Sequence, residues 1–178
     1  MSVYILRSDS ESYQSLIQVN EDDLLIHQKF KGERIRSGWL PLKVEILYEP
    51  EDEYLLPAGD FTMISAMPIF SQKAVEVLDD VLLTNGELLP LSYAEGVYYA
   101  FNITTIVDVL DLPASEVVYF PDSERVMTVR KYRFRSDQLV NLQIFKLPQL
   151  PISPSFVTED FVKIVEQSGL TGFRFKKL

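Results

Sequence analysis

One punctuation pattern is written twice in this chain, 83 positions apart. Pro68-Ile69 precedes Ala74, Leu78, Val81 and Leu82, with Gly86 beyond; Pro151-Ile152 precedes Val157, Phe161, Ile164 and Val165, with Gly169 beyond. Both apolar sets run i, i+4, i+7, i+8, which lines four side chains along one stripe of a helix and leaves the opposite side to solvent. Such a helix draws most of its stability from packing that stripe, so the rest of the chain has to supply an apolar layer beneath each one. The flanking residues supply start and stop signals. Ser71 can accept the orphan N–H groups of the first helix, and Ser153 followed by Pro154 can open the second. Gly86 and Gly169 stand where a left-handed glycine ends a helix.

The residues between and around the two helices read as strands. Val44, Ile46 and Tyr48 alternate with Lys43, Glu45 and Leu47, as a strand with one buried face requires. Residues 3–6, 87–91, 96–101, 117–120, 126–134, 142–147 and 173–175 are further strand candidates, and 92–95 reads as a turn joining two of them. Residues 102–108 are ambiguous, although β-branched Ile103, Thr104, Thr105, Ile106 and Val107 favour strand. Asn20, before Glu21, Asp22 and Asp23, can start a short helix. The fold class predicted is α+β: a mostly antiparallel sheet with a few amphipathic helices packed against it. At 178 residues and 47% apolar content the chain suits one domain spanning 1–178. Residues 1–59 form a candidate N-terminal lobe within it, because Pro50, Pro57 and Gly59 break the chain near that point.

Composition excludes several classes. The longest apolar runs, 97–101 and 106–112, are too short or too interrupted to span a bilayer as a helix. Arg7, Asp9 and Glu11 break up any signal-peptide core, so the expectation is a soluble, cytoplasmic protein. Zero cysteines remove disulfides, thiolate metal sites and cysteine nucleophiles. The net charge of −9 is unevenly spread: residues 1–62 carry −6, residues 63–120 carry −7 and residues 121–178 carry +4. The acidic two-thirds would repel nucleic acid and speed the encounter with a basic partner.

Catalytic chemistry finds little support. His27, beside Leu24, Leu25 and Ile26, is the only histidine and fits a packed structural residue. Asp108 and Asp111, three apart, could share a helical face, which keeps an enzyme of unrecognised type as an alternative. No GxSxG, HExxH, GxGxxG or P-loop pattern occurs. No cofactor and no metal are expected. After Arg130, the cations Lys131, Arg133 and Arg135 alternate with Tyr132 and Phe134, so a strand would turn those three cations outward and the rings inward, unlike a base-stacking platform. That basic face could instead meet the acidic part of a second copy, giving a homodimer or a self-associating structural or regulatory module. Tyr48, Glu49, Pro50, Glu51, Asp52, Glu53 and Tyr54 form the opposite case, acids and tyrosines around a rigid proline, which suits a cationic partner.

Phe70-Ser71-Gln72-Lys73-Ala74, Asn85-Gly86-Glu87-Leu88-Leu89-Pro90-Leu91, Tyr99-Ala100-Phe101-Asn102, then Val107-Asp108-Val109-Leu110-Asp111 with Ser115 follow one another in an order that resembles the immunity-protein family of bacterial polymorphic toxin systems, formerly a domain of unknown function. The ending is similar too: Ile144-Phe145-Lys146, a capped helix, then Gly169-Leu170-Thr171-Gly172-Phe173-Arg174-Phe175. The resemblance spans residues 60–178. It implies a non-enzymatic cytoplasmic protein that binds and neutralises a toxin delivered by neighbouring bacteria. Because the shared positions explain themselves as caps, strands and glycines, partner contacts are sought elsewhere. Tyr48, Glu49, Glu51, Asp52, Glu53, Tyr54, Asp79, Asp80 and Glu87 are the candidates, as a surface that would steer a basic toxin.

Overall fold

Period-two alternation with both faces apolar organises this protein, and that pattern is read from a computed structural model describing residues 2–48 and 54–178. Strands β1 (Val3–Ser8), β2 (Leu16–Gln18), β3 (Leu42–Ile46), β4 (Phe61–Ile64) and β5 (Met67–Ser71) lead to helices α1 (Gln72–Val77) and α2 (Asp79–Asn85). Strands β6 (Gly86–Ser92), β7 (Tyr98–Ile103), β8 (Glu116–Tyr119), β9 (Val126–Lys131), β10 (Ile144–Phe145) and β11 (Phe156–Thr158) follow, then α3 (Glu159–Gln167) and β12 (Phe173–Lys177). The fold is α+β. Its strands form a four-stranded sheet in the order β10-β11-β1-β12, a six-stranded sheet in the order β2-β3-β6-β7-β5-β4, and the ribbon β8-β9. Pairing is antiparallel except where β3 runs parallel to β6.

The first strand sits inside the sheet built by the last ones. Ile5 faces Phe156 on one side and Lys176 on the other, so β1 is hydrogen-bonded along both edges by residues from the far end of the chain. Its side chains divide between two cores. Leu6 packs with Phe70, Phe101, Val157 and Phe161, whereas Val3 and Ile5 pack with Val129, Phe145 and Phe156. The six-stranded sheet divides likewise: Phe101 and Ile103 of β7 join the helices, and Ala100 joins Phe30, Leu42, Val44 and Met67 on the opposite face. Each fully buried aliphatic or aromatic side chain contributes about 1.5–3 kcal/mol by leaving water.

Both helical stripes reach the same core, where Ala74, Leu78, Val81 and Leu82 meet Val157, Phe161 and Val165. The helices differ in detail from the sequence expectation. The first is kinked at Leu78 (φ −103°, ψ 15°) into α1 and α2, while Ser71 caps α1 by accepting from the Ala74 N–H at 3.1 Å. Gly86 is extended (φ −176°) and opens β6 at once instead of forming a left-handed cap. The helix end is satisfied another way: the Asn85 carbonyl accepts from the N–H groups of Thr104 and Thr105. Gly86 is required there because an added Cβ would stand 2.6 Å from the Phe101 ring. Gly169 does adopt the left-handed conformation, at φ +64°. Ser153 and Pro154 do not open α3; β11 intervenes and Val157 reaches the core from a strand, since pairing with β1 and β10 outweighs local helical spacing. At Asn20 the chain makes only a short 3₁₀ turn over Glu21–Asp23.

One cation lies wholly inside. Lys146 is 0% exposed, and its ammonium donates to the Phe30 carbonyl, tying residues after β10 to the loop beneath the six-stranded sheet. Burial pushes its pKa from 10.5 down to about 8. Between those values the unfolded chain binds a proton that the folded chain does not, so stability rises with pH across that window. The full rise is roughly 3 kcal/mol from this group alone. Urea unfolding at intervals from pH 7 to 10 should show wild-type protein gaining stability relative to Lys146→Met; a difference between the two that stays flat would show that Lys146 does not titrate there.

Candidate functional site

Strand β3 ends at Ile46, and the chain leaves the sheet with Leu47 and Tyr48 on one side of residues 49–53 and Tyr54, Leu55 and Leu56 on the other. All five flanking side chains are exposed, Tyr54 at 80% and Tyr48 at 58%. Scattered exposed leucines are ordinary, but Leu47, Leu55 and Leu56 line one cleft with Tyr54, an apolar rim of the kind that contacts a partner, and Tyr48 follows Leu47 in the chain. The cleft, of about 390 Å³, runs between Tyr13, Gln14, Ile46, Leu47, Tyr54 and Leu56.

The two ends of the rim are held by the backbone. The Leu47 N–H donates to Ser15 O at 2.8 Å and the Gln14 N–H to Pro57 O at 3.0 Å, so residues 14–15 bridge the outgoing and returning chain. Farther on, the Tyr98 hydroxyl donates to the Gly59 carbonyl at 2.9 Å. Asp60 completes the anchor. Its carboxylate accepts from the Ser71 hydroxyl (3.1 Å), the Lys73 ammonium (3.0 Å) and both the N–H (3.0 Å) and hydroxyl (3.1 Å) of Thr171. One side chain thus joins the returning loop, the cap of α1 and the turn before β12. Next to Thr171, Gly172 (φ +84°) is in the left-handed region and packs so tightly on the Phe61 backbone that a Cβ would collide with its carbonyl. Burial would raise the Asp60 carboxyl, but the hydrogen bonds from Thr171, Lys73 and Ser71 outweigh it and hold the pKa below the ordinary 3.8. Burial, with the Asp60 charge behind it, pushes the Tyr98 hydroxyl up.

The predicted partner-binding residues separate into four groups. Tyr48 and Tyr54 are exposed on the rim. Glu49, Glu51, Asp52 and Glu53 lie outside the described residues. Asp79 and Asp80 are exposed in the first turn of α2, where the helix dipole favours them, on an element that packs on β6 and β10. Glu87 is a correction: it is 4% exposed and accepts from the Ile35 N–H (2.6 Å) and from the Asn102 amide (2.9 Å), which pins residues 33–35 onto the sheet. Spaced by two from buried Leu89, it shares the covered face of β6, and the segment at residues 33–35 lies over it. Leu47, Leu55 and Leu56 carry no charge to mark them in the sequence, and only their exposure places them on the rim. The signal was present as an apolar run, residues 54–56, placed against the breaker Pro57.

Groups that might have formed a catalytic site are spent singly. Asp108 and Asp111 share no helix: Asp108 accepts from Gln149 (2.8 Å) and pairs with Arg135, while Asp111 accepts from the Ala114 N–H (3.2 Å). His27 Nδ1 stands 3.1 Å from the Leu24 carbonyl. Among the described residues, no group of three or more His, Asp or Glu could hold a metal ion. Tyr132 and Phe134 turn inward and stack on each other at 5.9 Å, beneath outward-facing Lys131 and Arg133. No described helix is long and apolar enough to cross a membrane.

The α+β scaffold thus presents an apolar and tyrosine rim at its surface. Residues 91–178 match the model of the immunity protein family Imm11, in agreement with the resemblance carried by the order of the motifs. The match begins in β6 and runs to the end of β12, shorter than the 60–178 traced by the motifs. No curated protein matches the sequence.

Asp60→Asn keeps the shape of the anchor and removes its charge. We expect a loss of about 1–3 kcal/mol at neutral pH by urea unfolding, the usual cost of weakening a partly buried, charge-assisted network. Because the folded carboxyl titrates below 3.8, this contribution is fully present above that value and disappears as pH falls through the lower folded one. The gap between wild type and variant should therefore close on acidification; a gap that persists unchanged at pH 2 would contradict the assignment.

Proposed function

We propose that this protein is a non-enzymatic immunity protein, acting in the cytoplasm, that binds and neutralises a cognate toxin delivered by neighbouring bacteria. The observation that carries the reading is the immunity-family match over residues 91–178. The rim supports it: Tyr48, Tyr54, Leu47, Leu55 and Leu56 are exposed around the sequence Glu49, Pro50, Glu51, Asp52 and Glu53. Aromatic anchors beside acids suit a basic partner, the charge setting the rate of encounter and the apolar side chains the lifetime of the complex. A basic, nuclease-like toxin held there would have its own substrate surface covered. Asp79 and Asp80 extend the acidic field without being required as contacts. We further propose that residues 1–178 act as one unit in this role.

The test is growth. Co-expression with the toxin encoded beside this gene should rescue cells, and the purified pair should form a complex. Tyr54→Ala together with Leu55→Ala should raise the Kd at least about tenfold, mainly through faster dissociation. Replacing Glu49, Glu51, Asp52 and Glu53 by glutamine should slow association in a salt-dependent manner. Failure of rescue and of complex formation with the wild-type protein would refute the proposal; intact affinity in the rim variant would refute the site.

A further inference from the structure

The chain is acidic overall, yet one of its clefts is basic. A groove of about 530 Å³ runs between β9 and the β1-β12 pair, and Arg7, Arg130, Lys131, Arg133, Lys176 and Lys177 line it without any acidic side chain. Alternation explains the concentration. Phe173 and Phe175 of β12 turn into the helical core, so Arg174 and Lys176 fall on the opposite face, shared with Ile5 and Arg7 of β1. There the core of Val3, Ile5 and Val129 ends, and cations take over at its margin.

These cations are largely unspent. Lys131 reaches Glu116 at 3.6 Å across an exposed pair, and Lys177 lies over the Tyr4 ring at 5.9 Å. Among the described residues, Arg7, Arg130 and Lys176 make no ion pair. Arg7, Arg130 and Lys176 around one groove repel one another, which a protein keeps at a cost unless an anion comes to them. Ile5, Met127 and Leu150 give the groove an apolar floor as well. Consecutive residues 127–133 line it, so an edge of β9 borders the groove and not one face alone. Among the described residues, that strand pairs with β8 alone.

We propose that this groove docks an extended acidic segment of a partner protein, laid along the open edge of β9 with carboxylates towards Arg7, Arg130 and Lys176 and apolar side chains towards Ile5 and Met127. Strand addition supplies main-chain hydrogen bonds, and the cations select the sequence. Nucleic acid fits less well. The one ring in the lining, Tyr132, is stacked face to face on Phe134 and offers no platform for a base. The inference does not depend on the partner being a toxin.

The probe is a fluorescein-labelled peptide of about ten residues alternating glutamate and valine, a length that spans the strand with margin, titrated into the full-length protein. Saturable binding that weakens with salt, with backbone amide shifts concentrated at residues 127–133 and 176–178, is the result expected. Arg130→Glu with Lys176→Glu should weaken it at least about tenfold. Arg130→Gln with Lys176→Gln should weaken it less and serves if the charge reversal disturbs folding, judged by circular dichroism. Absence of saturable binding, shifts elsewhere, or undiminished affinity in both variants would overturn the proposal. So would tighter binding of an oligothymidylate of similar length, or low-salt self-association that the same substitutions abolish, since the occupant would then be a nucleic acid or a second copy.

Discussion

Everything else in this structure depends on β1 being paired along both edges. A central strand whose neighbours arrive more than a hundred residues later ties the ends of the chain together. Because its side chains feed two cores in alternation, the helical core and the core under β8-β9 cannot be assembled independently of it. The same logic applies to β7, which lies between β6 and β5. The residues matching the immunity family therefore contain β7 to β12 but borrow two of their essential neighbours from outside the match. Exposed strand edges would result without them, and such edges invite aggregation.

Two polar contacts refine that apolar frame. Asp60 gathers donors from the α1 cap and from the turn before β12, and Lys146 reaches the Phe30 carbonyl from beyond β10. Neither is a cheap way to gain stability, because desolvating a charge costs several kcal/mol before any bond returns it. Their effect is geometric. Asp60 sets where the chain re-enters the sheet after the rim, and with Tyr98 it fixes the rigid base from which the exposed tyrosine and leucines project. A surface meant to hold a partner loses less entropy when its base is already ordered.

Charge is sorted with the same economy. The basic groove gathers residues from β1, β9 and β12, although residues 1–62 and 63–120 carry net charges of −6 and −7. A local charge opposite to that of the rest of the chain orients an approaching protein as well as attracting it. Among the described residues, Asp108, Asp111 and His27 are each engaged singly in local structure.

Much of this was legible in the residues themselves. The alternation of Val44 and Ile46, the Ser71 cap, the left-handed Gly169 and the burial of both helical stripes follow from local periodicity and capping chemistry, which a linear chain states directly. Family resemblance was legible too, in the order of short motifs. What the sequence could not decide was set by distant partners: pairing with β1 and β10 made Val157 a strand residue, Asn85 took over the helix end from Gly86, and the covering segment at residues 33–35 buried Glu87. The site divided in the same way. Acids and tyrosines at residues 48–54 announce themselves by composition, but the exposure of Leu47, Leu55 and Leu56, and the gathering of six cations around one groove, exist only once strands far apart in the chain are laid side by side. Local physics determined the elements; which faces were left for a partner was a property of tertiary packing, because exposure is what remains after every other surface has been covered.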